Sequence, residues 1–318
     1  MSRLRRLMTK TGRAKPQASV LMPLRNSATV VADAINSVLS QQDCVLDILI
    51  SDDASDDDTL QQARQTVEAY TGPHSVRLFS AVKRLWINHL HELIDRAAHP
   101  LCIEAHGDDI SLPGRMHRLM MLQAETGASL ITSLVDLRRE DTAKPDLSAG
   151  WLTTEQCVPP NGYGLLAGAR YAFNRDIHDR FPRLDSAYAP SSHDRLQAFR
   201  ASLLGGVWYC DERLLFYRRH EGQGSRMMTD QRSRATTGFG WSLRHLSALR
   251  AMGNDVDHAR ATGLIDKPRA ASLRRLLNKR TKHILTQLLN SRDDLVRAGR
   301  QALWVTEYEL LLANNGKK

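Results

Sequence analysis

A chain of 318 residues that is 42% hydrophobic can bury a sizeable core, with room for one large domain and an appendage, and is not an intrinsically disordered polymer. Its four cysteines, at positions 44, 102, 157 and 210, are too scattered for a zinc site, a redox dithiol or a short disulfide framework, and the sequence holds no run of eighteen uncharged apolar residues and no signal-length apolar stretch, so reduced thiols and a cytoplasmic protein without a membrane span are expected. The net charge of +9 sits at one end: residues 231–318 hold 17 Lys and Arg against 7 Asp and Glu, whereas residues 1–230 hold 27 against 28.

After a basic leader over residues 1–16 that reads as disordered, Ser19–Pro23 forms a short buried strand interrupted by its proline. Val30, Val31, Ala34, Ile35, Val38 and Leu39 recur at helical spacing, so an amphipathic helix spans Ser27–Leu39. Val45–Ile50 is a second strand that ends in the acidic turn Ser51–Asp58 and completes one βαβ unit. A helix over Thr59–Tyr70, a strand over Ser75–Ser80, a helix over Asn88–Ala97 and a strand over Leu101–Ala105 follow. Such alternation implies an α/β fold, with a parallel sheet and helices on both faces.

Beyond Gly127 the pattern predicts a strand over Ser129–Leu137, a surface excursion over Arg138–Pro160 and a strand over Leu165–Phe173. Ser192-His193-Asp194 then precedes a helix over Arg195–Leu204, and Gly206–Cys210 and Leu214–Tyr217 read as two short strands. From about Thr229 the chain is helical in pattern, with Arg269, Arg274, Arg275, Lys279, Arg280 and Lys282 clustered among leucines. That cluster suits either a solvated helix face or an amphipathic helix facing anionic lipid or nucleic acid.

Ligands of open α/β sheets bind beyond the carboxyl ends of the strands, and three polar clusters fall there: Leu24-Arg25-Asn26, Asp52-Asp53 and Asp108-Asp109. The last pair closes the apolar run Leu101-Cys-Ile-Glu-Ala, where carboxylates suit a hard divalent cation carrying phosphates. Adjacent aspartates at a strand end also serve as a solvated turn or a helix cap.

Four segments in order resemble the family 2 glycosyltransferases, nucleotide-sugar-dependent inverting enzymes of the GT-A fold. Ser19-Val-Leu-Met-Pro-Leu-Arg-Asn26 with Ala34-Ile-Asn-Ser-Val-Leu-Ser-Gln41 is similar to the family's opening strand, loop and helix. Leu49-Ile-Ser-Asp-Asp-Ala-Ser-Asp-Asp-Asp-Thr59 resembles its acidic nucleotide-binding turn, and His106-Gly-Asp-Asp-Ile-Ser-Leu-Pro-Gly-Arg115 its metal-binding motif. Gly168-Ala-Arg-Tyr-Ala-Phe-Asn-Arg175, Ser192-His-Asp194 and Leu215-Phe-Tyr-Arg-Arg-His220 resemble the acceptor-side half. The match covers about residues 18–225. It implies a GT-A (Rossmann-like) domain over residues 17–227, its sheet mixed but mainly parallel, followed by an all-helical basic region over residues 228–318.

The resemblance also implies roles. Pro23, Leu24 and Arg25 would lie along the nucleotide, and Asp53, with Asp52 beside it, would accept hydrogen bonds from the base. Asp108 would face the ribose or the metal, Asp109 would coordinate a Mn²⁺ or Mg²⁺ that bridges the diphosphate, and Asp194 would be the general base for an acceptor hydroxyl. Lys83, in the loop before the Asn88 helix, would steer the diphosphate. The partners implied are a nucleotide-diphosphate sugar donor and a glycan or lipid-linked glycan acceptor, with peripheral contact to an anionic inner leaflet and homodimerisation as roles for the helical end, and no nucleic acid. Processive members carry a Gln-x-x-Arg-Trp segment and membrane spans, which this sequence lacks, so addition of one sugar is expected.

Two departures stand out: His193-Asp194 where the family usually has an acidic pair, and His106-Gly107 where it commonly has an acidic and a small residue. His106 is therefore expected to be a neighbour of the metal rather than a ligand, and Arg115 to pair with an aspartate at the site. Trp86, Trp151 and Trp208 are candidates for a sugar-stacking platform, or simply buried aromatics. Sugar-phosphate nucleotidyl transfer on the same fold wants a glycine-rich, lysine-containing loop after the first strand, which Pro23-Leu-Arg-Asn26 does not supply. The other alternative is a glycosyltransferase-like scaffold without catalysis that binds membrane or nucleic acid through its basic helices.

Overall fold

The computed structural model describes residues 15–85, 87–136, 147–159, 166–184, 193–218 and 234–297. Most of the leader, Trp86, residues 138–146 and 160 of the excursion, Leu165, Ser192 and His220 lie outside the described residues.

Four parallel strands form one half of the sheet: β1 (Gln17–Leu24), β2 (Val45–Asp52), β3 (Ser75–Ser80) and β4 (Leu101–Glu104), in the spatial order β3-β2-β1-β4. The helices α1 (Val31–Leu39), α2 (Thr59–Glu68) and α3 (Ile87–Arg96) connect them. β1 is covered on both sides, and its period-two alternation divides the core. Ala18, Val20, Met22 and Leu24 pack with Val31, Ile35 and Val38 of α1, whereas Leu21 faces Leu90, Leu93 and Ile94 of α3. Contrary to the sequence expectation, Pro23 does not interrupt β1, and it pairs with Ser51 in the ladder. The Ala105 amide donates to the Leu21 carbonyl, so alternate residues 19, 21 and 23 face β4, whose ladder with β1 ends at Glu104. The amide hydrogen that proline lacks would have had no strand partner there.

The other half is mixed. β5 (Ile110–Ser111), α4 (Arg115–Thr126), β6 (Leu130–Asp136) and β7 (Gly150–Leu152) lead through two 3-10 turns, Thr154–Cys157 and Gly168–Arg170, to β8 (Ala172–Asn174). A short α5 (Asp176–Asp179), α6 (His193–Leu203) and β9 (Val207–Phe216) follow. β8 runs antiparallel to β4 and β6, β6 is parallel to β9, and β5 and β7 pair antiparallel with β9. Two expectations are corrected here. The strand expected over Leu165–Phe173 is only its last part, because the chain turns at Gly168–Arg170 to bring Gly168 against the end of β4. The two short strands expected over 206–217 are one strand, in which register shifts opposite Ser133 to Val135 absorb the polar stretch Asp211-Glu212.

α7 (Arg234–Ala261) and α8 (Lys267–Arg297) form the helical end. They share a second apolar cluster with α6, in which Leu196, Phe199 and Leu203 meet Leu249, Met252, Val256, Leu273 and Leu277. Inside it, Arg200 of α6 and Asp255 of α7 form a two-pronged ion pair, both contacts 2.8 Å and both side chains fully buried. The helix that carries Asp194 is thereby fastened to the C-terminal helices. Among the described residues, no helix is long and apolar enough to cross a membrane.

Candidate active site

The loops after β1, β2 and β4 meet at a pocket of about 250 Å³ lined by Pro23, Leu24, Arg25, Ser27, Asp53, His89, His106, Gly107 and Asp108. It lies beyond the carboxyl ends of the parallel strands, where such sheets hold ligands. Leu24 and Gly107 set its width. A Cβ on Gly107 would come within 2.6 Å of Leu24 Cδ2 and 3.2 Å of Ser27 Oγ, so only glycine lets the two loops approach this closely.

One wall is built by lacing the first loop to the acidic turn. The Arg25 guanidinium donates to the Asp53 carbonyl at 2.8 Å and to Asp56 at 2.6 Å; the Asn26 amide donates to Ser55 Oγ, the Ser27 amide to Thr59 Oγ1 and the Ala28 amide to Asp57. Asn26 and Ala54 take left-handed conformations, with φ of 45° and 55°. Asparagine tolerates this far better than alanine, so the turn holds some strain at Ala54. The two aspartates that the sequence places side by side part company. Asp52 turns inward to accept from the Ser55 amide and hydroxyl, closing the turn. Asp53 lines the pocket and accepts from the Leu85 amide at 2.6 Å, which ties the loop after β3 to the nucleotide side. Lys83 is in that loop, exposed, and is not among the residues that line the pocket.

At the other wall, donor atoms of His106, Asp108 and Asp109 all lie within 4.8 Å of one another. Asp109 is buried; Oδ1 accepts from the Arg218 amide at 3.1 Å, whereas Oδ2 has no hydrogen-bond partner. Burial first, and the Asp108 charge second, push the Asp109 carboxyl up to about 7. Burial acts to lower the His106 imidazole, but the Glu104 carboxylate beside it, with Asp108 and Asp109, raises it to about 9. Two crowded carboxylates, one with a buried oxygen left unmatched, fit a divalent cation, which would relieve their repulsion and satisfy that oxygen. His106, expected as a neighbour of the metal, has a donor atom within the same group.

Behind the metal corner stands a residue that sequence reading missed. Glu104 ends β4 with its side chain 1% exposed, and neither carboxylate oxygen has a hydrogen-bond partner. His106 Nε2 lies 3.6 Å from its Oε2. A Cβ on Gly168 would lie 2.5 Å from that same Oε2 and 3.1 Å from Asp194 Oδ1, so Glu104 and Asp194 flank one glycine. Asp194, in the first turn of α6, has its side chain 41% exposed; its carbonyl accepts from the Tyr171 hydroxyl at 3.1 Å, and its Oδ1 lies 3.2 Å from His193 Nδ1. The only signal for Glu104 in the sequence is a charge inside an apolar strand run, at a position where a buried carboxylate is costly unless something pairs with it.

Other expectations land differently. Arg115 is fully buried and donates to Ser111 Oγ and to the carbonyls of Glu104 and Ala169, so it braces the strand ends through backbone oxygens instead of an aspartate carboxylate. Trp151 and Trp208 meet edge to face, 5.4 Å apart, at the start of β9, the opposite end of that strand from the site, so they form no platform at the pocket. His89 was not foreseen; it lines the pocket, 2.8 Å from Ser51 Oγ, and burial lowers its imidazole pKa so that it stays neutral. The four cysteines are free and buried, as expected of structural thiols.

The family model described as Glycosyl transferase family 2 matches residues 19–181, about half of the chain. EpsE of Bacillus subtilis (strain 168), a protein named as a glycosyltransferase, is 31% identical over 103 residues, which is 32% of this chain and 37% of EpsE. The chain thus spans about a third of the length of the curated relatives it matches. Two solved structures share the fold at 14% identity and a TM-score of 0.54. One is Staphylococcus aureus TarS 1–349 in complex with UDP-GlcNAc, covering 91% of this chain and 93% of that one. The other is the mannosyltransferase PcManGT from Pyrobaculum calidifontis in complex with GDP-Man and Mn²⁺, covering 99% and 85%.

Proposed function

The chain belongs to glycosyltransferase family 2, and on that premise we propose that it moves one sugar from a nucleotide-diphosphate sugar to a hydroxyl of a glycan or lipid-linked glycan, with inversion at the anomeric carbon. One observation supports the reading: Asp53, His106 and Asp108 line a single pocket at the strand ends, donor atoms of Asp109 lie within 4.8 Å of those of His106 and Asp108, and Glu104, beside His106, shares Gly168 with Asp194. The nucleotide would lie between the laced loops, its base held at Asp53 and its sugar and phosphates running along Pro23, Leu24 and Arg25 toward Asp108. His106, Asp108 and Asp109 would hold the cation, and the imidazole in that set favours Mn²⁺ over the strictly oxygen-seeking Mg²⁺. Such an ion, when bound, neutralises charge that develops on the departing nucleoside diphosphate. Asp194 would take the proton from the acceptor hydroxyl as that oxygen attacks the anomeric carbon from the face opposite the diphosphate. Inversion follows from attack on that face.

The mannosyltransferase with GDP-Man and Mn²⁺, and TarS with UDP-GlcNAc, support a nucleotide sugar as the donor class. A cytoplasmic enzyme resting against an anionic inner leaflet is the setting we infer. Arg269, Arg274 and Arg280 of α8 are committed to Ser202, Asp257 and Glu155, but Arg275, Lys279 and Lys282 form an exposed stripe. At about 1 kcal/mol for each basic residue near an anionic surface, three are enough for reversible contact only.

Screening UDP-, GDP- and dTDP-sugars for binding and slow hydrolysis tests the proposal. One donor class should be bound tightly and released as nucleoside diphosphate in the presence of Mn²⁺; binding of none of them would refute it.

A further inference from the structure

We propose that Arg218 is a positioning residue for the cation site: its guanidinium grips the start of α1, and its main-chain amide thereby holds Asp109 with one carboxylate oxygen left for the metal. This rests on the reading of His106, Asp108 and Asp109 as the cation-holding group and adds the residue that sets its geometry. Three hydrogen bonds carry it. The Arg218 amide donates to Asp109 Oδ1 at 3.1 Å, its Nη2 donates to Asp33 Oδ2 at 2.9 Å, and its Nη1 donates to the Val30 carbonyl at 3.4 Å.

The strand ladder leads Arg218 to that point. β5 and β9 run antiparallel with Ile110 opposite Phe216, so their register carries Asp109 toward the residues just past β9. The Tyr217 amide still donates to the Asp136 carbonyl of β6 at 2.9 Å. Arg218 comes next, and its side chain is fixed by partners 185 and 188 positions earlier in the chain, in and just before the first turn of α1. That turn continues the first loop of the pocket, because the amides of Val30 and Val31 donate to the Ser27 carbonyl and Ser27 lines the pocket. The Arg218 side chain is only 18% exposed, although Asp33 is 70% exposed. One residue therefore joins the metal corner to the wall built by the first loop.

The kind of contact matters. A guanidinium bound directly to Asp109 would neutralise the carboxylate and compete with a divalent cation, whereas a peptide amide orients one oxygen without bringing a full charge. Asp33 takes the Arg218 cation, and Asp109 receives the neutral amide. Its second oxygen, buried and without a hydrogen-bond partner, stays available to an ion. Groups that orient a metal ligand from behind typically account for 10- to 100-fold in metal affinity. Charge and positioning also differ in sign here. Removing a nearby positive charge should tighten the binding of a cation, and removing the residue that holds Asp109 should loosen it.

The test titrates Mn²⁺ alone into the full chain, with free Mn²⁺ counted by electron paramagnetic resonance, in the wild type, Arg218→Ala, Asp33→Asn and the double variant, and with Tm as a folding control. Arg218→Ala should weaken Mn²⁺ binding roughly tenfold, the lower end of the range for a group that orients a metal ligand. Asp33→Asn, which leaves the bond to Val30, should weaken it about two- to fivefold, the scale of an exposed ion pair. The double variant should lose no more than Arg218→Ala, because Asp33 acts only through the grip on Arg218. Mn²⁺ affinity in Arg218→Ala equal to or above that of the wild type overturns the proposal. So does a double variant weaker than Arg218→Ala, which would mean that Asp33 acts by its own charge. Where Arg218→Ala melts too low to compare, Asp33→Asn decides, and an affinity equal to that of the wild type contradicts the proposal. A wild-type chain that binds no Mn²⁺ sinks the cation site itself, a failure distinct from the others.

Discussion

Glu104 and Asp194 approach each other from opposite sides of Gly168, whose absent side chain would lie 2.5 Å from one carboxylate and 3.1 Å from the other. No larger residue fits without moving one of them. Gly168→Ala should therefore lower the rate of sugar release by tenfold or more. Overpacking of this size costs about 1–3 kcal/mol of stability. Nucleoside diphosphate affinity should be retained, because the pocket wall at Asp53 is untouched. Equal activity in wild type and variant would show that the two carboxylates have room to spare.

The metal corner makes a separate claim. Asp109→Ala removes the buried, unmatched oxygen of a carboxyl that burial, and then the Asp108 charge, raise to about 7. The apparent affinity for Mn²⁺, read by isothermal titration with UDP or GDP present, should fall at least tenfold. Asp52→Ala, by contrast, breaks only the cap on Ser55 and should leave Mn²⁺ affinity within twofold while costing about 1 kcal/mol. Parallel losses in both variants would argue that the acidic turn and the metal corner are not distinct.

The buried pair Arg200–Asp255 fastens α6 to α7. Removing one partner leaves the other charged in an apolar cluster, so Asp255→Ala should destabilise the fold by about 3–5 kcal/mol, seen as a lower midpoint in urea. Replacing both with leucine or methionine should restore much of that loss. A double replacement as unstable as the single one would mean the pair contributes more than charge compensation.

Two buried histidines should make the fold sensitive to acid. Burial pushes His91 down to about 4 and His178 well below its ordinary value, which is near 6.5 in the unfolded chain. Between those values the unfolded chain binds more protons at these two histidines, so their contribution to stability falls as the pH drops from about 6.5 toward 4 and is level above that window. His91→Gln should flatten this slope in denaturant midpoints measured from pH 7 to 4.5. A slope unchanged by the substitution would place the acid sensitivity elsewhere.

Much of this architecture is written in residue periodicity. Val20, Met22 and Leu24 alternate with Leu21 across two faces, and Val31, Ile35 and Val38 recur every three to four residues, so the βαβ half is legible from pattern alone. The acidic turns were legible as well, because polar residues at strand ends have few structural reasons to cluster. Partners distant in the chain were not. Nothing local distinguishes Asp52, which caps a turn, from Asp53, which lines the pocket; the laced loop decides it. Glu104 looks like an accident in an apolar strand until Gly168, 64 residues later, is seen against it. The role of His106 depends on Asp109 turning the same way, and the pairing of Arg200 with Asp255 depends on two helices meeting, so both belong to tertiary structure.

Thermal melts with nucleoside diphosphates test the central claim most directly. With Mn²⁺ and UDP or GDP at about 100 times Kd, the wild-type chain should gain about 2.7 kcal/mol, seen as a raised Tm, and the gain should vanish on adding a chelator or in Asp109→Ala. A Tm that stays flat with every nucleoside diphosphate, or a rise that is the same without metal and in Asp109→Ala, would contradict the account.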